Sequence, residues 1–70
     1  MTHSRIANAL ARDAHALRRL AASVGLKAAL LDHLDSHDAH SEAQALRNLT
    51  DLLRAHAGTL QRAAAIVAKL

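Results

Sequence analysis

Apolar residues recur along this chain at steps of three and four, the spacing that places them on one face of an α-helix. One stripe runs through Ile6, Leu10, Ala14, Leu17, Leu20, Ala21 and Val24, and another through Leu46, Leu49, Leu53, Leu60, Ala64 and Val67. The polar segment 35–41 separates them, and Ser41 followed by Gln44 has the spacing of a capping box. The pattern predicts a helix over about 4–36, a turn at 37–40 and a helix over about 41–69.

The first stripe changes direction at Gly25, because Leu26, Leu30 and Leu34 lie roughly 90° or more around the helix from the residues before it. Two structures are consistent with this change. If the helix continues through Gly25, the chain forms an antiparallel helical hairpin with a spare apolar face. If it breaks at 24–25, a short separate helix follows and the protein has three helices.

The composition restricts the fold to the all-α class and to one small domain, residues 1–70. Of the 70 residues, 51% are hydrophobic; 18 Ala and 13 Leu account for most of these, and Phe, Trp, Tyr, Pro and Cys are absent. Ala and Leu favour helices, but a core built from them without aromatic rings buries little area. We therefore expect a hairpin near the limit of independent stability, which pairs with another helical protein or with a second copy of itself.

The same composition argues against catalysis. Without Cys there is no disulfide, thiolate metal site or thiol nucleophile, and so short a chain hardly encloses a substrate pocket. The sequence also lacks a glycine-rich phosphate loop and a recognisable Ser/His/Asp set. We expect neither an enzyme nor a bound cofactor.

The net charge of +3 is spread along the chain rather than clustered. Since no aromatic ring is present to stack on bases, single-stranded nucleic acid is an unsuitable partner, and only duplex binding stays open. The longest uninterrupted apolar run, Ala63 to Ala68, is far shorter than the roughly 20 residues of a membrane-spanning helix. We expect a cytoplasmic protein without a membrane partner.

The densest polar cluster contains His33, His37 and His40, interleaved with Asp residues. On a continuous helix, His33 and His37 would share a face at a spacing that chelates zinc or nickel, with Asp38 or His40 as a third ligand. The same residues suit an exposed turn, whose polar side chains are solvated. We favour the turn and predict no metal site, so the three His residues remain only weak candidates.

His56 lies within the second apolar stripe, between Leu53 and Leu60. We expect a neutral imidazole buried where the helices meet. The sharper hypothesis is a pH-sensitive contact, in which protonation places a charge among apolar side chains. Asp13 falls on the first apolar stripe, where it either pairs with a basic residue such as Arg47 or Arg54 or lies at the rim with its carboxylate in water.

The segment Leu20–Leu34 resembles the helix-turn-helix of bacterial repressors. The small residue, turn glycine and core apolar residues of that motif correspond to Ala21, Gly25, Leu26, Leu31 and Leu34. The resemblance implies a second helix that reads the major groove through Lys27, Ala28, Ala29, Asp32, His33 and Ser36. This set lacks the Arg, Asn or Gln that make bidentate contacts with bases. A DNA-binding regulator is therefore the alternative function and not the first one.

The segment Leu60–Val67, with the sequence LQRAAAIV, is similar to the C-terminal helix of the small cytoplasmic co-chaperones of bacterial type III secretion needle subunits. The order of amphipathic helix, polar turn and second helix is similar as well. This resemblance implies a helical hairpin that pairs with a larger helical-repeat chaperone and helps to hold a needle subunit monomeric.

These patterns together predict a non-catalytic protein-protein interaction module. Two stripes are expected to bury each other within the hairpin, as in a coiled coil: Leu10, Leu17, Val24, Leu31 and Leu49, Leu53, Leu60, Val67. The predicted partner-binding residues are the apolar ones left over: Leu26, Leu30, Leu34, Ile66 and Leu70.

Overall fold

The computed structural model describes residues 2–70, which form two long α-helices packed antiparallel. Helix α1 spans Thr2–Asp32, helix α2 spans His37–Ala68, and residues 33–36 connect them. No strand occurs within residues 2–70. The predicted all-α antiparallel hairpin is therefore confirmed, although the connection lies about four residues earlier than the sequence pattern indicated.

Each helix buries one residue in every seven. In α1 these residues are Ala7, Ala14, Ala21 and Ala28, and in α2 they are Ala43, Thr50, Ala57 and Ala64; α2 also buries Ala39 in its first turn. Three residues after each residue of the seven-residue series stands a half-buried larger side chain: Leu10, Leu17, Val24, Leu31, Leu46, Leu53, Leu60 and Val67. This is the a and d spacing of a coiled coil, with small residues at a, so the two backbones approach closely. Leu49, predicted to be in the buried stripe, is instead 43% exposed.

The hairpin is thin and has a small core. Among the described residues no large side chain is fully buried, and the hairpin measures 54 × 13 × 10 Å along its principal axes. Its accessible surface is 5179 Å², whereas a compact monomer of 7.5 kDa exposes about 4,250 Å². The chain thus leaves about 900 Å² more surface in water than its mass requires.

Helix α1 continues through Gly25 without a break, so the three-helix alternative is wrong. The reason is that the seven-residue repeat keeps its phase on both sides, from Ala21 to Ala28. Gly25 lies beside this repeat and has an ordinary negative φ. Of the apolar side chains that follow it, Ala28 and Leu31 continue the contact with α2, while Leu26, Leu30 and Leu34 are exposed.

The space around Gly25 predicts that Gly25→Ala stabilises the protein. A Cβ atom built there meets nothing within 4 Å, and Ala is a better helix former than Gly by about 1 kcal/mol. We expect the free energy of unfolding in urea, followed by circular dichroism, to rise by about 0.5–1 kcal/mol. Gly58→Ala is the companion variant, since its Cβ would lie 3.4 Å from the mobile end of the Arg62 side chain. A lower free energy of unfolding for Gly25→Ala than for the parent would show that this position needs glycine.

Helix α2 begins earlier than predicted because Ser36, not Ser41, caps it. Ser36 has an extended backbone, and its Oγ accepts a hydrogen bond of 3.3 Å from the Ala39 N–H. Asp38 lies in the first turn, where the helix dipole favours a negative charge. The polar residues that suggested a longer turn are therefore the first turn of α2, and Ala39 is already buried there.

Candidate partner-binding face

The exposed apolar side chains of the hairpin lie almost entirely on one side. Within residues 2–70, nine large apolar residues are exposed. Eight of them occupy the c and g positions of the heptads, or continue that spacing just past a helix end. We call these eight residues the apolar face: Ile6, Leu20, Leu30, Leu34, Leu49, Leu52, Ile66 and Leu70. The ninth, Leu26, occupies an f position, directly opposite the contact between the helices.

Two open grooves along the seam of the hairpin show that the c and g sides of both helices point the same way. One is lined by Asp13, Ala16, Leu17 and Leu20 from α1 and by His56 and Leu60 from α2. The other is lined by Lys27, Leu30, Leu31, Leu34 and Leu46. In an antiparallel pair g positions flank g positions, so the side chains of both helices form one continuous surface.

Four of the five predicted partner-binding residues belong to this face. Leu30, Leu34, Ile66 and Leu70 are 55–78% exposed. Leu26 is 62% exposed but lies on the outer edge of α1. That edge also carries Arg5, Arg12 and Arg19, at the same seven-residue spacing. The prediction missed Ile6, Leu20, Leu49 and Leu52, which share the apolar face.

His56 is exposed in the first groove and is not buried between the helices, which corrects the prediction for this residue. The centre of the contact follows Ala57 and Leu60, and His56 is turned away from it toward the apolar face. Asp13 lines the same groove and is also exposed, so its carboxylate lies at the rim. The carboxylate that pairs with Arg47 is that of Asp32, not Asp13.

The opposite side of the hairpin, formed by the b and e positions, is polar. There the Asp32 carboxylate at the end of α1 accepts a hydrogen bond of 3.2 Å from Nδ1 of His40 and another from Arg47. Arg47 also donates to Gln44 Oε1 at 3.0 Å. The hydrogen bonds from His40 and Arg47 hold the pKa of Asp32 below its ordinary value. This network ties the two helices together beside the connection.

The lowered pKa predicts the effect of Asp32→Asn on stability. A carboxylate whose pKa is lower in the folded state stabilises the protein above its unfolded pKa and loses this effect as the pH falls through the folded value. At pH 7 we expect Asp32→Asn to melt at a slightly lower temperature, since the site is open to water and the pair is screened. The two melting curves should converge below about pH 4. Asp35→Asn, in the connection, is the matched control and should melt like the parent.

The predicted metal candidates do not converge. Helix α1 ends at Asp32, so His33 lies in the connection while His37 begins α2, and the two do not share a helix face. His40 instead bonds to Asp32. Within residues 2–70, no group of three or more His, Cys, Asp or Glu residues is arranged to hold a metal ion.

The helix-turn-helix interpretation is contradicted by the course of α1. Residues 20–32, which would contain the turn and the recognition helix, are one continuous helical segment. Ala21 and Ala28 are buried against α2, so this segment is part of the hairpin contact.

Neither helix in the described part of the chain is long and apolar enough to cross a membrane.

Comparison with known proteins gives no relative for this hairpin: no family model, no curated protein and no solved structure matches the chain.

Proposed function

We propose that this protein is a non-catalytic interaction module that binds a helical partner through the apolar face. The observation that carries this proposal is the segregation of the exposed side chains. In the part of the chain that the structure describes, eight of nine exposed large apolar residues lie on one side, and the opposite side carries the network of Asp32, His40 and Arg47. Contiguous exposed apolar surface on a small protein marks an interaction site.

The shape of the face favours a helical partner. The seam between α1 and α2 forms a shallow groove with leucine side chains on either side, as at Leu30 and Leu46. Such a groove accepts the ridge of apolar side chains that an amphipathic helix presents at its i, i+3, i+4 and i+7 positions. The outcome is a bundle of three or four helices with a thicker core than the hairpin has alone.

The most specific form of this proposal is a secretion co-chaperone, in which the partner is a needle subunit or its helical-repeat chaperone. It is supported by the two-helix architecture and by the resemblance of Leu60–Val67, a segment of α2 whose Ile66 is 63% exposed. Co-expression with a candidate needle subunit tests it directly. A needle subunit that stays monomeric in the presence of this protein is the expected result, and unchanged polymerisation would contradict it.

The general proposal is tested by comparing two variants that make the same chemical change on the same helix. Leu30→Asp places a charge on the apolar face, and Leu26→Asp places one on the outer edge, at nearly equal exposure of 59% and 62%. Proteins that copurify with the tagged parent, including untagged copies of this chain, should be lost with Leu30→Asp and kept with Leu26→Asp. If both variants retain the same proteins as the parent, the apolar face is not the binding site.

A further inference from the structure

We propose that the occupant of the apolar face is a second copy of this chain, related by a two-fold axis that lies in the plane of the contact, perpendicular to the helices and at the level of Leu20 and His56. This inference rests on the proposed function, since it names the partner of the same face. In this arrangement the α1 helices of the two copies face each other antiparallel, and so do the two α2 helices. The result is a four-helix bundle built from two hairpins.

The position of the axis follows from the middle of the hairpin. Leu20 and His56 line the same groove, so they lie at the same level on neighbouring helices. The helices overlap along most of their length, and this level is close to the centre of the overlap. A two-fold axis through the centre buries the whole face, because each end of one hairpin meets the opposite end of the other.

The charges on α1 are complementary under this symmetry. Asp13 stands seven residues before Leu20 and Lys27 seven residues after it, both at g positions beside the face. The rotation therefore brings Asp13 of each copy opposite Lys27 of the other, which forms two ion pairs per dimer. Within one chain the two residues are about 21 Å apart along the helix and cannot pair.

Several side chains of the face are complementary in size as well, although Ile6 comes opposite Leu34 at the end of the α1 contact. On α2, Leu49 and Ala63 lie seven residues on either side of His56, so a leucine of one copy meets an alanine of the other. Ile66 likewise comes opposite Ala45, and on α1 Leu30 comes opposite Ala9. Large residues facing small ones interdigitate and let helices pack closely.

The other two-fold axis that joins the same faces runs parallel to the helices and is disfavoured. It places α1 of one copy against α2 of the other at equal height. Lys27 then comes opposite Leu49 and Asp13 opposite Ala63, so neither charge meets an opposite charge, and Lys27 keeps only its hydrogen bond to Ser23. Buried charges without partners are costly, and the perpendicular axis avoids that cost.

The area is sufficient for a stable dimer. The face has the length and width of the hairpin, 54 by 13 Å, or about 700 Å² before side chains are added. Stable protein interfaces bury about 800 Å² per partner. The surplus of about 900 Å² over a compact monomer of this mass is of the same size.

A charge-reversal cycle tests the arrangement in the full chain. Sedimentation equilibrium of the parent should give twice the 7.5 kDa monomer mass. Asp13→Lys and Lys27→Asp should each raise the dimer Kd about 10-fold, because each replaces two attractive pairs by two repulsive ones. The double variant Asp13→Lys/Lys27→Asp should return the Kd to within about 3-fold of the parent. A dimer whose Kd is not rescued in the double variant has another register, which overturns the proposal.

A crosslink provides a second measurement that does not depend on charge. The chain has no Cys, so Leu20→Cys introduces thiols that meet only at the two-fold axis. Mild oxidation should link Leu20→Cys into a covalent dimer, while Ala22→Cys, on the polar side of α1, should stay monomeric. A fully helical parent that is monomeric at about 100 μM overturns the second copy as partner. The proposed function survives that result if Leu30→Asp still releases a different protein, and fails if it releases none.

Discussion

Ala57→Leu should lower the free energy of unfolding by about 2–3 kcal/mol, because a larger side chain at this position forces the two helices apart. Ala57 is 0% exposed and belongs to the line of small residues along which α1 and α2 meet. A leucine has no free volume to enter there. Urea unfolding followed by far-ultraviolet circular dichroism measures the change, and no aromatic residue is needed as a probe.

The control for this prediction is Ala55→Leu, at an exposed position two residues earlier on the same helix. Leucine and alanine have similar helix propensities, so this variant should unfold at nearly the urea concentration of the parent. Equal stability of Ala57→Leu and Ala55→Leu would show that the helices do not meet through the alanine line.

Leu52→Asp should weaken association through the apolar face by about 100-fold or more. The substitution removes a leucine that association buries, and it places a charge in an apolar contact. The side chain is 68% exposed in the single hairpin, so the substitution removes little from the core of the chain itself. Its helicity at equal association state should therefore match the parent. Light scattering with refractive-index detection measures the mass of the particles, and circular dichroism measures the helix content.

Leu26→Asp is the matched control for Leu52→Asp, because the parent leucine is 62% exposed but lies on the outer edge. It should associate like the parent. If Leu26→Asp weakens association as strongly as Leu52→Asp, the contact surface extends around α1 and the apolar face is wrongly delimited.

The two helices were predictable because Ala and Leu recur at helical spacing without proline. The larger side chains of the contact follow from the leucine spacing, with Leu49 as the exception. The line of small residues is predicted only in part, because the sequence stripes contain Ala14 but not Ala57. The buried positions are occupied by alanine, as at Ala14 and Ala57, and leucine at these sites would hold the backbones apart. Moving the axis onto the alanines turns His56 and Leu49 out of the core. The spacing of seven between alanines was the signal that could have shown this.

The predicted start of α2 depends on which of two similar capping signals is used. Ser36 and Ser41 are both suitable caps, and the polar residues between them resemble a loop. Ala39 decides the matter, since it continues the buried side of α2 and favours the earlier start. Gly25 presented a similar choice, in which the cost of about 1 kcal/mol for a helical glycine is outweighed by continuous packing against α2.

The apolar face was predictable in kind but not in extent. The excess of apolar residues over what two helices bury is visible in the sequence, and it indicated Leu30, Leu34, Ile66 and Leu70. Which other residues join them depends on the antiparallel register, which places Leu20 beside His56. That register is a tertiary property, fixed by the connection and by the alanine line.

Hydroxyl-radical footprinting of the purified protein tests most directly whether the apolar face, and only that face, is covered in solution. Leu52 and Leu26 are the same residue type, with exposures of 68% and 62% in the single hairpin, and therefore serve as an internal comparison. At about 100 μM, Leu52 should be protected several-fold relative to Leu26, and the protection should disappear on dilution. Equal oxidation of Leu52 and Leu26 at every concentration would contradict a covered apolar face.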